Sequence, residues 1–488
     1  MAGSGPVAQL NGTKKSRLMI DVEPEAGLSQ QTLQDAFSQQ TLFAEKTWQL
    51  SPHAFPLTEE QVSEIRQIGK ACHQFLVALE KLYNKSKANK KILRNQDLTT
   101  PWVAEYLDRG KPDSLIRHAR HKKVSGKTPL IIRPDLLITD DGFGLTELDS
   151  VPGGIGLTAF LNRLYSNQKG IVGDNDHMVH AFYQSLRQLR PEIDLPFIAI
   201  VVSHEAETYR PEMEWLAGEL QKHGYKVFVF YPEQIMPLGQ TLCADIEGDP
   251  HQIDILYRFY ELFDLVNIPV TRHIPALVEE EELALTPPMR PFQEEKLNLA
   301  LLHHHRLEDF WKENLDRGNR QLLQRIVPNT WIMDNPELPP GAVLDGPTVG
   351  DKPIHHWEQL INASQKERNL ILKISGYHET AWGARSVTLG SDSSRMQWGQ
   401  AIQHALRSAD KNLHILQEFR KPKRVRHQHY TQSGELRTLD SRVRLCPYFM
   451  IQGEEVELTG ILATLCPADK KIIHGMKDAT LLPCQQTQ

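Results

Sequence analysis

The sequence predicts a mixed α/β protein, and three patterns support this fold class. Residues 197–202 are an unbroken apolar run, which is typical of a buried parallel strand. A helical stretch follows at about 211–223, Gly224 is its stop signal, and a second apolar run begins at 227. This order of strand, helix, glycine and strand indicates a small open α/β sheet. Further strand-like runs alternate with helical stretches from residue 369 onward, so we expect a second sheet there.

The bulk composition limits the class of protein. A chain of 488 residues is expected to form roughly two to four domains. Its net charge of -6 argues against a nucleic-acid binder, which usually carries a basic domain. It has neither an apolar run long enough to cross a membrane nor the apolar core of a secretory signal. The five cysteines are scattered and form no CxxC, so we expect reduced thiols in a soluble, cytoplasmic protein without a disulfide framework or zinc site.

The chain divides into five predicted segments. A helix is expected after Thr58 and Gln61, which form a plausible capping box. Another helical stretch is expected from about Glu279 to Trp311. The predicted segments are a poorly ordered arm at 1–40, a helical N-terminal region at 41–128, a hairpin segment at 129–192, the small α/β unit at 193–275, and a final segment of strands and helices at 276–488.

A predicted β-hairpin carries the first candidate site. Asp135 lies on its first strand, a turn follows at 140–142, and Glu147 and Asp149 lie on its second strand. Residues two apart on a strand point to one face, and carboxylates crowded there repel unless a cation neutralises them. Mg²⁺ prefers such hard oxygen ligands. Asp135 joins that face if the loop has an odd number of residues or the hairpin has a bulge, and we predict the odd loop. The alternative is an exposed hairpin with a solvated acidic face.

Two later strands end in polar side chains. Lys373 lies near the end of an apolar strand, so its ammonium can meet a phosphate at the rim, and Ser375 and Gly376 open a loop that can cover the phosphates. The strand at 414–419 ends in Gln417, Glu418 and Phe419. The alternative for Lys373 is a lysine that only extends into solvent. The alternative for the strand at 414–419 is an ordinary edge strand.

These motifs together resemble the glutathionylspermidine synthase family, whose members have a circularly permuted ATP-grasp fold. The hairpin resembles the family's Arg-x-Asp … Glu-x-Asn hairpin, with Asp149 where the family often has Asn. The segment Arg442-x-Arg444 resembles its Leu-Arg-x-Phe/Tyr strand, and residues 475–480 resemble its closing Gly-x-x-Lys-Asp-Thr segment. The carboxylate hairpin precedes the lysine strand, and that unusual order is shared with the family. The resemblance extends from about residue 131 to 484.

The resemblance implies a fold and a set of roles. The fold is a circularly permuted ATP-grasp core with an inserted small open α/β (pre-ATP-grasp) domain and a helical N-terminal region. Asp149 in place of Asn either tightens metal binding or marks altered chemistry. The resemblance implies that Asp135, Glu147 and Asp149 bind Mg²⁺, and that Arg133 contacts nucleotide phosphates or an acyl phosphate. It implies phosphate or lid contacts for Lys373, Ser375, Gly376 and Lys477. It also implies adenine binding for Gln417, Glu418 and Phe419, and charge stabilisation for Arg444, Arg442 or both.

The implied activity is an ATP- and Mg²⁺-dependent carboxylate–amine ligase that forms an amide through an acyl phosphate. Its partners are a small carboxylic acid and an amine, peptide-like or polyamine-like, with no nucleic acid and no membrane. Two alternatives stay open: a non-catalytic nucleotide-binding or scaffold protein, and a kinase that stops at phosphoryl transfer. A second phosphate-contacting lysine is left open, with Lys352 as one candidate. Substrate candidates at strand ends of the α/β unit are Ser203, His204, Glu205 and Arg258. The basic run at 420–429 is interpreted as a surface loop, or alternatively as an electrostatic collar.

Overall fold

The computed structural model describes residues 27–40, 42, 48–335, 339, 341–381, 385–473 and 479–487. These residues form a mixed α/β structure, which confirms the predicted class. The α-helices are α1 (Gln30–Ser38), α2 (Glu59–Lys87), α3 (Pro101–Asp108), α4 (Asp113–Arg120), α5 (Ile155–Leu164), α6 (His177–Arg187), α7 (Arg210–Lys222), α8 (Ile274–Glu279), α9 (Leu297–His303), α10 (Glu308–Asn314), α11 (Arg317–Ile326) and α12 (Arg395–Ser408). The strands are β1 (Phe55–Thr58), β2 (Ile131–Thr139), β3 (Gly142–Asp149), β4 (Ile198–Val202), β5 (Val227–Phe230), β6 (Ile235–Leu238), β7 (Thr241–Ile246), β8 (Asp249–Gln252), β9 (Ile255–Phe259), β10 (Ala284–Thr286), β11 (Thr330–Met333), β12 (Thr348–Val349), β13 (Lys352–Pro353), β14 (Leu370–Ile374), β15 (Thr388–Leu389), β16 (His414–Glu418), β17 (Arg424–Tyr430), β18 (Leu436–Gln452), β19 (Glu455–Pro467) and β20 (Thr480–Thr487).

The largest sheet joins the two ends of the described chain. Its strands run in the order β1-β20-β19-β18-β2-β3, and β17 also pairs with β18. The long hairpin of β18 and β19 turns at Gly453, which has a φ of 61° that glycine adopts without a steric cost. The sheet therefore places the carboxylate hairpin of β2 and β3 beside strands that lie 300 residues later in the chain.

The N-terminal region covers one face of this sheet. Helix α2 begins with the predicted capping box, in which Thr58 accepts from the backbone of Gln61 and the Gln61 side chain accepts in return. A Cβ added at Gly69 would lie 2.1 Å from the ring of Phe449 on β18, so α2 approaches the sheet more closely than a larger residue allows. The preceding residue of β18, Tyr448, instead approaches Gly154, the N-cap of α5. Helices therefore cover both faces, and β1 extends the sheet through parallel pairing with β20.

Two local expectations differ from the structure. Part of the segment predicted as a poorly ordered arm forms α1, because Ser29 caps the helix through the backbone of Thr32 and Leu33 is fully buried. Residues 1–26 of that arm lie outside the described residues. The stretch from Glu279 to Trp311 is not one helix but a strand, two 3₁₀ turns and two short helices. Prolines 287, 288 and 291 explain the interruption, since proline removes a backbone donor and fixes φ.

The predicted small α/β sheet is present and parallel. Its strand order is β10-β9-β4-β5, and every neighbouring pair runs in parallel. Strand β10 ends at Thr286, so this sheet extends past the predicted boundary at residue 275. The carboxyl ends of β4 and β9 lie at the same edge, where ligands bind in open α/β sheets.

A third sheet holds the lysine strand. Its order is β11-β16-β14-β15, and the pairs are antiparallel. Ile371 of β14 lies opposite Gln417 of β16, so the two strands predicted to end in functional side chains are direct neighbours. All five cysteines are buried, and none of them is paired in a disulfide. Among the described helices, none combines the length and apolar character that a bilayer crossing requires.

Candidate active site

A cavity of ≈ 920 Å³ lies where the three sheets meet. Its walls are the face of β2, β3 and β18, the carboxyl edge of the parallel sheet, and the ends of β14 and β16. This volume falls within the range of small-molecule and cofactor sites. Nine of the predicted site residues line it: Arg133, Asp135, Glu147, Asp149, Lys373, Gln417, Glu418, Phe419 and Arg444.

The hairpin brings its carboxylates to one face by a different route from the predicted one. Thr139 pairs with Gly142, so the loop has two residues, Asp140 and Asp141, and the odd-loop prediction is wrong. A bulge corrects the register: Asp135 lies opposite Glu147, whereas Leu136 lies opposite Leu145, and Thr146 is the extra residue. Because directly paired residues share a face, Asp135 and Glu147 both point into the cavity.

Asp135 is buried between two arginines. Its Oδ1 accepts from Arg133 Nε at 2.9 Å, and its Oδ2 accepts from Arg444 Nη1 at 3.0 Å. The Cys446 thiol also lies 3.5 Å from Oδ1. Burial alone would raise the pKa of Asp135, but the two guanidinium groups lower it below its usual value. Asp135 is therefore an ionised anchor that orients both arginines.

Arg133 links the two strands of the hairpin. Its guanidinium lies 3.1 Å from Asp149 Oδ2 and donates to the Gly153 carbonyl at 2.9 Å. Although burial opposes its charge, Asp135 and Asp149 raise the pKa of Arg133 well above its ordinary value. Burial opposes the charge of Arg444 too, but Cys446, Asp135 and Glu147 raise its pKa above the ordinary value. Both arginines are therefore charged at neutral pH.

Glu147 and Asp149 are the more accessible carboxylates of the hairpin. Their side chains are 37% and 29% exposed, against 4% for Asp135. Burial, together with Glu147 and Asp135, raises the pKa of Asp149, and the Arg133 charge only partly opposes this. An added cation at this position would therefore relieve repulsion. Oxygen ligands with solvent access suit a hydrated Mg²⁺ ion.

Lys296 is a site residue that the sequence reasoning missed. Its Nζ lies 2.8 Å from Glu147 Oε1 and donates to the Ala381 carbonyl at 2.8 Å. Burial would lower the pKa of this lysine, but Glu147 and Asp149 raise it. Lys296 precedes α9 within a stretch of mixed charge, and the only sequence signal was a lysine directly before an apolar run. Lys352, the suggested second lysine, is exposed on β13 and does not line the cavity.

Lys373 lies on the cavity wall beside the hairpin. Its Nζ donates to the Thr146 carbonyl at 2.9 Å, which belongs to the bulge residue. Burial lowers the pKa of Lys373 to about 8, because the nearby anions do not fully offset desolvation. An incoming phosphate would restore the charge that burial disfavours.

The residues predicted near adenine lie at the end of β16. Gln417 is buried and its amide donates to the Thr330 hydroxyl at 2.9 Å. The backbone N–H groups of Glu418 and Phe419 donate to the carbonyls of Asn329 and Asn369 at 2.9 and 3.0 Å. These two N–H groups are therefore already hydrogen-bonded within the protein. At this end of β16, the residues that line the cavity are Gln417, Glu418 and Phe419.

Ser375 and Gly376 follow β14 but do not line the cavity. The Ser375 hydroxyl donates to Glu295, which also pairs with Lys111 at 2.5 Å, and both acid and lysine are buried. A Cβ on Gly376 would lie 2.9 Å from the Glu295 carboxyl carbon, so this glycine permits a close approach. Ser375 and Gly376 therefore both lie against Glu295, outside the lining of the cavity. Lys477 lies outside the described residues, as do Trp382 and Gly383 of the predicted lid.

Other candidates are divided between the cavity and the interior. Glu205 lines the cavity and pairs with Arg385 at 3.2 Å, whereas the exposed His204 faces Glu233. Arg442 shares β18 with Arg444, but its guanidinium donates to the carbonyls of Ala468 and Pro422 at 2.7 and 2.9 Å.

The remaining candidates are mostly interior. Arg258 is fully buried against Glu294, and Ser203 is buried. Within the basic run, residues 424–430 form β17 and are not a surface loop, while Arg420 lines the cavity.

Glu261 is a second residue that the sequence reasoning missed. It follows β9 at the carboxyl edge of the parallel sheet and lines the same cavity. Burial, with help from Glu294 and Asp149, raises the pKa of Glu261 to about 8. The sequence signal was its position directly after a buried parallel strand.

The arrangement is suited to binding and activating a polyanion. Four cations lie beside the three hairpin carboxylates in the lining of the cavity. The cations are Arg133, Lys296, Lys373 and Arg444, and the carboxylates are Asp135, Glu147 and Asp149. Preoriented charges of this kind stabilise negative charge that develops in a transition state.

No known protein-family model matches the chain, and no curated protein matches it. Among solved structures, the chain is similar to a glutathione synthetase-like effector from Globodera pallida in its apo form. The TM-score is 0.54 at 12% identity, over 94% of this chain and 96% of that chain. A candidate gamma-glutamylcysteine synthetase from Methylobacillus flagellatus KT gives a TM-score of 0.42 at 14% identity, over 84% of this chain and 87% of that chain. At these identities the first likeness concerns the fold alone, so the chain shares its overall fold with the Globodera pallida effector.

Proposed function

We propose that this protein is an ATP- and Mg²⁺-dependent carboxylate–amine ligase that works through an acyl phosphate. The observation that carries the proposal is the convergence of Arg133, Lys296, Lys373 and Arg444 on the Glu147–Asp149 pair in one cavity. The resemblance of the motifs to permuted ATP-grasp ligases supports it. So does the shared fold with a protein described as glutathione synthetase-like.

Glu147 and Asp149 are the residues that we assign to Mg²⁺. They are the more exposed carboxylates of the hairpin, and the raised pKa of Asp149 reflects negative charge that its neighbours do not fully offset. Bound Mg²⁺ would neutralise charge on the phosphates. We assign Asp135 to holding Arg133 and Arg444, because both of its oxygens already accept from these side chains.

The first chemical step transfers a phosphoryl group. An oxygen of the substrate carboxylate attacks the γ-phosphorus, the bond to the β–γ bridging oxygen breaks, and ADP leaves. This reaction depends on positioning and charge stabilisation. Lys296 and Lys373 provide point charges for the phosphates, while Arg133 and Arg444 provide planar donors for the group in transit.

The second step forms the amide. The amine nitrogen attacks the acyl carbon, the carbon–oxygen bond to phosphate breaks, and inorganic phosphate leaves. The nitrogen must also lose a proton. We assign its acceptance to the ionised form of Glu261, which lines the same cavity and whose pKa of about 8 leaves part of the population unprotonated near neutral pH.

The first experiment is a thermal shift with Mg-ATP, Mg-ADP and no nucleotide, on the wild type and Glu147→Gln. A ligand at 100 times its Kd stabilises the native state by about 2.7 kcal/mol. We expect Mg²⁺-dependent stabilisation that fades in Glu147→Gln and persists in the matched control Glu454→Gln, whose side chain is exposed in a turn. Absence of any nucleotide effect, alone or with added acids, would refute the proposal.

A screen of acids and amines for ADP release then tests the reaction. Hydroxylamine should trap the acyl phosphate as a hydroxamate. An amide product supports the ligase, a phosphorylated acid as the end product indicates a kinase, and nucleotide binding without turnover indicates a binding protein.

A further inference from the structure

A second cluster of metal-ligating side chains lies where α6 and α7 meet. Asp176, His180 and His223 each offer one ligand atom, and these atoms all lie within 4.8 Å of one another. The cluster is separate from the cavity. Helix α5 connects the two regions, because Gly154 at its N-terminus lines the cavity and Arg163 in its last turn contacts Asp176.

Asp176 lies at the start of α6, after a tight turn. Gly173 has a φ of 79°, and a Cβ there would lie 1.8 Å from the Thr459 carbonyl oxygen, so only glycine fits at this point of the turn before α6. Asp176 occupies the N-cap position of α6 but makes no side-chain capping bond. Aspartate at an N-cap ordinarily accepts from the first turn. Here the carboxylate instead faces Arg163 and His223.

The two imidazoles are placed by helix geometry. His180 follows Asp176 by four residues, which puts both side chains on the same face of α6. His223 is the C-cap of α7, and Gly224, with a φ of 82°, ends that helix directly after it. The rings of His180 and His223 lie 4.5 Å apart between centroids. Two different helices therefore present imidazole groups to the same carboxylate.

The second oxygen of Asp176 remains available to a cation. Its Oδ1 accepts from Arg163 Nε and Nη2 at 3.0 and 2.6 Å. Its Oδ2 lies 3.8 Å from His223 Nε2, which is too long for a hydrogen bond. Ligands about 2.0–2.1 Å from a tetrahedral Zn²⁺ ion are separated by roughly 3.4 Å. Small side-chain rotations would bring Asp176 Oδ2 and His223 Nε2 from 3.8 Å to this distance.

Arg163 has the character of an outer partner that orients a metal ligand. It also donates to Glu219 at 3.0 Å, and Glu219 pairs with Lys222 at 2.7 Å. The surrounding charges thus balance one another before any ion binds. The side chains of Asp176 and His223 are 33% and 38% exposed, so a solvent molecule can complete the coordination.

We propose that Asp176, His180 and His223 bind a divalent transition-metal ion of the class that prefers imidazole, for which Zn²⁺ is the representative. Mg²⁺ is disfavoured, because two of the three ligands are nitrogen. The ion would join α6 of the hairpin segment to α7 of the parallel-sheet unit. Such a bridge would stabilise the relative position of two cavity walls without taking part in the reaction.

The test is a Zn²⁺ titration of untagged, chelator-treated, full-length protein by calorimetry, with excess Mg²⁺ present to occupy the carboxylate hairpin. Co²⁺ serves as a spectroscopic probe of the same site. We expect one equivalent of Zn²⁺ to bind and to raise the unfolding temperature. His180→Gln and His223→Gln should each weaken binding by roughly 100-fold or more, since loss of an outer partner alone costs 10–100-fold.

His177→Gln is the matched control, because His177 lies on the same helix but faces Glu457. It should bind Zn²⁺ like the wild type, and the metal-free variants should unfold at the wild-type temperature. His223 is a partly exposed helix-end residue, so His223→Gln remains informative if His180→Gln folds poorly. Absence of stoichiometric binding, an unchanged Co²⁺ spectrum in His223→Gln, or equal weakening in His177→Gln would refute the site and leave an ordinary ion pair.

Discussion

Replacing Lys296 with methionine would keep most of the length of the side chain and remove its charge. The ammonium lies 2.8 Å from Glu147 Oε1. At an effective dielectric constant near 20, two unit charges at this separation attract by about 6 kcal/mol. Glu147 is 37% exposed, so water screens much of this attraction and replaces it when the lysine is lost. We therefore expect the free energy of unfolding to fall by only ~1 kcal/mol.

The effect on nucleotide binding should be larger. A hydrogen bond to a charged group contributes about 1.5–3 kcal/mol, which corresponds to roughly 10- to 150-fold in affinity. Lys296→Met should weaken Mg-ATP binding by this factor. Calorimetry with Mg-ATP measures it directly, and denaturant unfolding measures the accompanying change in stability.

Lys352→Met is the control, since that lysine is exposed and does not line the cavity. It should bind Mg-ATP like the wild type. Lys296→Arg should recover part of the affinity, because it restores the charge with a different geometry. If Lys296→Met bound Mg-ATP as tightly as the wild type and Lys352→Met, the assignment of Lys296 to the phosphates would be wrong.

Three further predictions follow from buried groups. Because the folded-state pKa of Glu261 is raised to about 8, this group should lower the unfolding free energy as pH rises from the ordinary carboxyl range to about 8. The Glu261→Gln variant should show a flatter dependence of unfolding free energy on pH in denaturant melts at pH 5, 7 and 8.5. An unchanged slope would contradict the assignment. Lys373, with a pKa lowered to about 8, should take up a proton when Mg-ATP binds near pH 8.5. Calorimetry in buffers of different ionisation enthalpy measures this proton uptake. The Lys373→Met variant should abolish it. Ser375→Ala should cost about 1–2 kcal/mol of stability by leaving Glu295 with an unmet acceptor; an equally large loss of nucleotide affinity would show that Ser375 acts on the ligand.

Several elements could be predicted from local sequence. The capping box at Thr58, the hairpin that carries Glu147 and Asp149, and the strand that carries Lys373 all appear where the patterns indicated. Each depends on interactions within a few residues, such as alternation along a strand or a side chain that caps its own helix. These signals need no knowledge of the rest of the chain.

Other features depended on contacts between distant segments. The bulge at Thr146 settled the orientation of Asp135, and the Thr146 carbonyl meets Lys373 more than 200 residues later. Arg442 and Arg444 look equivalent in sequence, yet one satisfies interior carbonyls and the other faces Asp135. No local pattern distinguishes them, because the difference lies in what packs against each side of β18.

The sequence by itself thus determined which residue types and which strands carry the candidate chemistry. The tertiary structure decided which charges meet. Lys296 and Glu261 enter the cavity because separate segments converge there, and His223 approaches Asp176 because α7 packs on α6. The physical reason is that a side chain's environment depends on packing between elements, whereas its local conformation depends mainly on its neighbours in the chain.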